Sequence, residues 1–246
     1  KDLIDLLSQK KVKVISWCGL EPLNRSDFPE LARYAKSKGL KIYLYTTGFS
    51  DNSDISFWDI NKHKLNKDNI KKILDLVDFV NFSIDPFHED AFATKDKVTP
   101  YINYVRELLV FIGTYKPELV TQVITIIGRY YDKNKPLSDD KIMAKLHAIF
   151  SAITESGKGI KNFRIKFNRY SYDRTNMAPF QEKYQIPIDT YNTIFRSVER
   201  TEQQIFGMEK YETFHYLFFF FFVKIVTQVP VRDGGDVTYD FIGSFA

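Results

Sequence analysis

The stretch ISWCGLEPLNRSDF, from Ile15 to Phe28, gives the pattern by which the rest of the 246-residue chain can be interpreted. The apolar run that enters it stops at Gly19, a Glu-Pro pair follows, and the periodicity then changes to that of a helix. This order predicts a strand, a turn and a helix in quick succession. Cys18, the only cysteine, ends the strand, and on its own it is best interpreted as a small buried apolar residue.

The same alternation recurs along the chain. Five strand patterns alternate with helical patterns, and the helical pattern DLIDLLSQ stands before the first strand. The predicted strands end near Gly19, Gly48, Asp85, Gly128 and Asn168. Such alternation predicts an α/β fold with a parallel sheet and right-handed crossovers. Two closures are open to it, a doubly wound open sheet or a barrel, and in both the loops after the carboxyl ends of the strands carry the chemistry.

Composition narrows the classes of partner. Lysine and arginine number 35 against 31 aspartates and glutamates, and the basic residues are scattered rather than clustered, which does not favour nucleic-acid binding. One cysteine excludes an internal disulfide and an all-cysteine metal site. The longest apolar run, Leu217 to Val223, is far shorter than the roughly 20 residues of a membrane helix. We therefore expect a cytoplasmic protein that binds neither nucleic acid nor membranes.

Glu21 and Pro22 follow the first predicted strand. A carboxylate held at a strand end by the stiff ring of Pro22 can accept hydrogen bonds from an ammonium group. Gly19 lets a ligand approach the backbone because it has no Cβ. Thr46 and Thr47 offer hydroxyl groups at the next strand end. The alternative interpretation is that Glu21 is a solvated residue at the start of a loop.

Two further groups of polar residues lie on predicted strand faces. Ser83 and Asp85 point to one side because side chains alternate along a strand, and there they either contact a ligand or face water. Arg164, Lys166 and Asn168 share one face of the last predicted strand. They form either a cationic patch for a carboxylate or a solvated edge.

His88 lies in the loop after the third predicted strand, in the sequence PFHED. It is a candidate general acid or base, or a ligand-binding residue. The alternative is a surface histidine beside two acidic residues. The HED triplet lacks the spacing of a metal site, so no metal ligand and no catalytic residue is assigned from the sequence.

The strand ends, taken together, resemble one family. GLEPL follows the first strand, YTTG ends the second and FSIDPF ends the third. This order is similar to that of the radical S-adenosylmethionine (radical SAM) enzymes, which have a GGEP-type turn, a TNG-type strand end and a Ser-x-Asp strand end. The resemblance covers Lys1 to about Asn168. Leu20 replaces the second glycine of the family's turn, and Thr47 replaces the commoner asparagine.

The resemblance implies a fold and a chemistry. The fold would be a partial (β/α)6 TIM-like barrel of parallel strands with its first strand missing. A [4Fe–4S] cluster and an external electron donor would cleave SAM to a 5′-deoxyadenosyl radical, which would modify a small-molecule or peptide substrate. The residues implied in SAM binding are Gly19, Glu21, Pro22, Thr46, Thr47, Ser83 and Asp85. Those assigned to the substrate are His88, Arg164, Lys166 and Asn168.

The cluster motif of that family, CxxxCxxC, is absent from these 246 residues. One thiolate cannot replace the three that the cluster requires. We expect the motif upstream of Lys1, so that this chain alone is inactive. We also expect a core over residues 1–200 and a C-terminal β extension with a hairpin over 201–246. In that extension RDGGDVTYD resembles a segment of peptide-modifying members, but Asp240 stands where a cysteine would be expected.

Two other functions remain open. The chain could be a cluster-less homologue that acts as a binding or scaffold protein. It could also be an unrelated TIM-barrel hydrolase, in which Glu21 and Asp85 would be paired carboxylates across a cleft.

Overall fold

The computed structural model describes residues 1–19, 21–84, 101–132, 135–169, 186–206 and 225–226. Five parallel strands form its main sheet, and their order in the sheet follows their order in the chain. They are β1 (Val14–Trp17), β2 (Lys41–Thr46), β3 (Phe79–Ser83), β4 (Val120–Ile127) and β5 (Phe163–Arg169). A two-residue strand, β6 (Ile225–Val226), pairs antiparallel with β1.

Six α-helices lie in the described part of the chain. They are α1 (Asp2–Gln9), α2 (Phe28–Ser37), α3 (Lys67–Leu74), α4 (Tyr101–Tyr115), α5 (Asp139–Gly157) and α6 (Ile188–Phe206). Helices α2 to α5 each connect two consecutive parallel strands, and α1 precedes β1. The predicted alternation of strands and helices, with a helix first, is therefore confirmed. None of these helices has both the length and the apolar character that a membrane crossing requires.

Local signals in the sequence account for several boundaries. Asn66 begins α3, because its side-chain oxygen accepts a hydrogen bond from the backbone N–H of Asn69 at 3.2 Å. Gly39 follows α2 with a φ of 78°, the left-handed conformation that glycine adopts without strain. The segment between β2 and α3 contains two short antiparallel strands, Trp58–Asp59 and Lys64–Leu65. Phe57 and Trp58 are buried there and anchor it to the core.

The order of the strands determines where the helices lie. Because right-handed crossovers between strands in sequential order place all connecting helices on one side, the sheet is singly wound. The alternate strand positions on that helix-covered face are buried, and most are apolar, among them Ile42, Leu44, Val80, Phe82 and Val123. A doubly wound sheet needs a reversal of strand order, which the five described strands do not have. Closure into a barrel stays a prediction, as do the division at residue 200 and the C-terminal hairpin, which lies outside the described residues.

The opposite face of the sheet carries a row of mainly polar residues across the middle of four strands. Tyr45, Asn81, Gln122 and Arg164 are successive register partners across β2, β3, β4 and β5, and we call them the polar row. Asn81 is fully buried, whereas Arg164 is exposed. The same face also carries buried apolar residues, Phe79 and Ile124, on either side of this row.

Gly48, just after β2, offers a test of how tightly the strand ends are packed. Its φ is 80°, and a Cβ there would overlap the hydroxyl of the fully buried Tyr104. Burial raises the pKa of Tyr104 well above its ordinary value, so the phenol stays protonated. We expect Gly48→Ala to lower the free energy of unfolding by roughly 2–5 kcal/mol, because backbone strain and overpacking act together. Urea unfolding measures this change.

Gly39→Ala is the matched control for that substitution. Gly39 has nearly the same φ, 78°, but a Cβ there meets nothing within 4 Å. Gly39→Ala should therefore lower the free energy of unfolding by the backbone strain alone, about 1–2 kcal/mol. In a Gly48→Ala chain, Tyr104→Phe should recover part of the loss by removing the overlapping hydroxyl. Equal costs at the two glycines would contradict the tight packing described here.

Candidate functional site

The turn after β1 is built around Glu21. Gly19 takes a φ of 98°, and the chain then forms a short 3₁₀-helix, Pro22–Asn24. Pro22 suits the first position of this helix because its φ is already fixed and no N–H is needed there. Glu21 caps the helix, since its Oε1 accepts a hydrogen bond from the N–H of Leu23 at 3.0 Å. The sequence Glu-Pro thus makes a rigid turn whose carboxylate points back to the sheet.

The carboxylate of Glu21 also binds the end of the neighbouring strand β2. The hydroxyl of Thr46 donates to Oε1 at 2.6 Å, and the hydroxyl of Thr47 donates to Oε2 at 2.7 Å. The backbone N–H of Thr47 donates to Oε2 as well, at 2.8 Å. With the N–H of Leu23, four donors use the roughly four acceptor directions of a carboxylate. Glu21 is therefore hydrogen-bonded to capacity within the chain.

Burial and hydrogen bonding act on this carboxylate in opposite directions. Burial raises the pKa of Glu21, and the hydrogen bonds from Thr46, Thr47 and Leu23 oppose that rise. No lysine or arginine in the described parts of the chain forms a salt bridge with it. Hydroxyl and backbone N–H groups are therefore what stabilise its negative charge.

The turn after β1 and the loop after β2 are joined at further points. The Ser50 hydroxyl donates to the carbonyl of Leu23 at 2.6 Å, and the backbone N–H of Asp51 donates to the side chain of Asn24 at 3.2 Å. The threonine hydroxyls that donate to Glu21 also accept hydrogen bonds from the next turn of backbone. The two strand ends consequently form one hydrogen-bonded unit.

Tyr101 extends this unit to β3. Its hydroxyl lies 2.8 Å from the carbonyl oxygen of Ser83 and 3.2 Å from that of Thr47. It is the first residue of α4 and is fully buried. One side chain from a helix thereby connects the carboxyl ends of two parallel strands. We call Gly19, Glu21, Thr46, Thr47 and Ser83, which these contacts bring to one edge of the sheet, the strand-end site.

The substrate-binding residues predicted from β5 lie two strands away from β3, and Lys166 is level with Ser83 because both are register partners of Ile124. Arg164 is exposed and belongs to the polar row, while Lys166 is half-buried two residues further along β5. Asn168 also lies on β5, and its side chain is outside the described residues. Asp85 and His88 fall outside the described residues too, so their assignments stay predictions.

The sequence interpretation missed two buried tyrosines and one hydrogen bond between neighbouring strands. Tyr101 and Tyr104 continue the apolar stripe of α4 back from Val105, so helical periodicity carried a signal for their burial but none for the hydroxyl contact. The hydrogen bond between Gln122 and Asn81 was missed as well. The signal for this hydrogen bond was a polar amide residue in the middle of each of two adjacent strands that are otherwise mostly apolar.

The residues present do not fit an iron–sulfur cluster. The sequence has one cysteine, and the described residues contain no group of three or more histidine, cysteine, aspartate or glutamate side chains that could hold a metal. A Cβ placed on Gly19 would meet nothing within 4 Å among the described residues, so they leave the backbone there uncovered on that side.

Comparisons with known proteins leave the family open. No protein-family model matches the chain, and no curated protein matches it. Among solved structures, one of TYW1 with a lysine-pyruvate adduct bound is similar, at 15% identity and a TM-score of 0.44, over 76% of this chain and 50% of that one. Structures of catalytic-site mutants of the active domain 2 of a chitinase from Pyrococcus furiosus are also similar. They give 12% sequence identity and a TM-score of 0.45, over 85% of this chain and 63% of that one.

A third solved structure, subunit Z of the cellulose synthase of Clostridioides difficile, gives 11% identity and a TM-score of 0.34, over 72% of this chain and 57% of that one. The chain thus spans half the length of the TYW1 structure and less than two thirds of the other two. TYW1 is a radical SAM enzyme, but the other neighbours belong to different classes. Scores and identities this low carry no argument about function.

Glu21→Gln tests the role of the buried carboxylate. An amide presents an NH₂ group where one oxygen now accepts from Thr47 or Leu23, so buried donors lose their acceptor. We expect the free energy of unfolding to fall by about 2–4 kcal/mol, as measured by urea unfolding. Glu30→Gln is the control, because Glu30 forms a salt bridge with Lys1 at an exposed site and its removal should produce no resolvable change. Equal effects of the two substitutions would contradict the structural role of Glu21.

Proposed function

We propose that the chain is the SAM-binding core of a radical SAM enzyme. The observation that supports this most is the strand-end site itself. Three segments that resemble the family's motifs follow consecutive parallel strands, and hydrogen bonds accepted by Glu21 and donated by Tyr101 connect them at one edge of the sheet. Ligands of singly wound α/β sheets bind at this edge, outside the carboxyl ends of the strands.

The contacts divide the residues of the site into two roles. Because four donors of the chain already occupy the carboxylate of Glu21, this residue positions the turn rather than binding the methionine amino group. The hydroxyls of Thr46 and Thr47 are likewise engaged with it. Binding of the amino group then falls to backbone oxygens of the turn beside Gly19, where a ligand has room. Ser83 and Asp85 remain candidates for the ribose or carboxylate of SAM.

The cluster belongs to the proposal but not to this chain. In the family, a [4Fe–4S] cluster supplies the electron that cleaves SAM, and three cysteines hold it. The 246 residues contain one cysteine, so the cluster ligands and the electron donor would come from elsewhere. In this proposal, the 246 residues bind SAM and orient it beside a small-molecule or peptide substrate.

The hydrolase alternative finds less support at Glu21. A general acid or nucleophile needs a carboxyl oxygen that can reach the substrate, and both oxygens of Glu21 are hydrogen-bonded within the chain. Its proposed partner, Asp85, lies outside the described residues. The cluster-less binding protein remains a second candidate, because it would share the strand-end site and differ only in chemistry.

Isothermal titration calorimetry of the 246-residue chain with SAM tests the binding step. We expect saturable binding to the unaltered chain. In Gly19→Ala, a methyl group stands where the ligand would approach, and the Kd should rise at least tenfold. Gly39→Ala is the matched control, because its φ and its empty surroundings are nearly the same but it lies at the other end of the sheet. No binding to the unaltered chain, or equal losses in both variants, would contradict the proposal.

The chemistry is tested separately, on the complete gene product that contains this chain. After anaerobic reconstitution with iron and sulfide and addition of a reductant, the enzyme should form 5′-deoxyadenosine from SAM. Binding of SAM without that product would support the cluster-less binding protein instead. Absence of both would rule out the radical SAM assignment.

A further inference from the structure

Asn81 lies in the middle of β3 with no exposed surface. Its Oδ1 accepts a hydrogen bond from the Nε2 of Gln122 at 3.0 Å. Its Nδ2 has no hydrogen-bond acceptor in the described part of the chain. A buried NH₂ group without an acceptor is costly, and native proteins retain few of them. Such a group marks a position where a hydrogen-bonding partner is expected.

The direction of this amide follows from its surroundings. If both amides of the Asn81–Gln122 pair were rotated, Asn81 would present an oxygen instead of its NH₂ group, and the pair would remain hydrogen-bonded. The charge nearby decides between the two arrangements. Arg164 is the next member of the polar row after Gln122, and Lys166 lies two residues further along the same strand. A positive potential favours an anionic oxygen in front of Asn81, and such an oxygen requires the NH₂ group as its donor.

Negative charge is missing from the sheet itself. The five parallel strands contain no aspartate or glutamate, so no residue of these strands forms an ion pair with Arg164. The helices that connect these strands cover the opposite face and do not supply one there. The polar row thus combines the buried NH₂ group of Asn81, which has no acceptor in the described part of the chain, with the exposed guanidinium of Arg164. Together these groups complement a carboxylate.

We propose that the polar row binds a carboxylate-bearing ligand, with one ligand oxygen accepting from Asn81 Nδ2 and the ligand's charge paired with Arg164. Arg164 is separated from Asn81 by the single strand β4, a distance that an extended arginine side chain can bridge. Access to Nδ2 requires movement of neighbouring side chains, because Asn81 has no exposed surface. The proposed function is needed only for the further statement that this ligand is the enzyme's substrate.

Nuclear magnetic resonance of the ¹⁵N-labelled 246-residue chain tests this site, with acetate as the probe. Asn81→Leu identifies the side-chain NH₂ signals of Asn81. Those signals should shift saturably with acetate, with a Kd on the order of millimolar for so small a ligand, and acetamide should not shift them. Acetate should also raise the thermal midpoint of the unaltered chain and leave that of Asn81→Leu unchanged.

Two charge substitutions sharpen the test. Arg164→Gln should weaken acetate binding at least fivefold. Lys161→Gln removes the same charge from the chain just before β5, where Lys161 pairs with Glu118 at 3.0 Å, and binding should stay within twofold. Asn81 signals that do not move with acetate, that move equally with acetamide, or that respond equally in both charge variants would overturn the proposal. If Asn81→Leu does not fold, the difference in acetate binding between Arg164→Gln and Lys161→Gln decides whether the proposal stands.

The outcome is independent of SAM binding. Acetate binding at Asn81 together with failed SAM calorimetry would uphold the carboxylate site and reject the proposed function. SAM binding without an acetate response would do the reverse.

Discussion

The buried carboxylate of Glu21 is the constraint on which the strand-end site depends. A charge removed from water must be met by hydrogen bonds, and in this protein the donors come from two different strand ends. The turn after β1 and the end of β2 therefore cannot move apart without leaving a buried charge unsatisfied. Since Tyr101 then connects the end of β2 to that of β3, one carboxylate fixes the geometry of three strand ends.

This constraint separates residues that hold the site from residues that can bind a ligand. Side chains that looked like ligand contacts in the sequence, those of Glu21, Thr46 and Thr47, are engaged with one another. The ligand surface that remains is largely backbone, beside Gly19, together with the end of β3. Backbone groups on a rigid frame make precise binding sites, because little conformational freedom is lost when the ligand arrives.

The sequence predicted what depends on local periodicity and local conformational preference. The alternation of strands and helices, the cap at Asn66 and the left-handed Gly39 follow from neighbouring residues alone. The partners of Glu21 do not, because Thr46 and Thr47 stand 25 and 26 residues away and meet it only when β1 and β2 pair. The hydroxyl contact of Tyr101 was equally hidden, since it depends on how α4 packs against two strands.

The polar row differs from the strand-end site in how completely its polar groups are hydrogen-bonded. At the strand ends both carboxylate oxygens of Glu21 accept hydrogen bonds within the chain, so no ligand is needed to explain that network. Asn81 is not matched, and a leucine of similar size would fill the same space without an unpaired NH₂ group. Stability alone therefore does not account for Asn81. A ligand oxygen that accepts a hydrogen bond from its NH₂ group, on a ligand whose charge pairs with Arg164, does account for it.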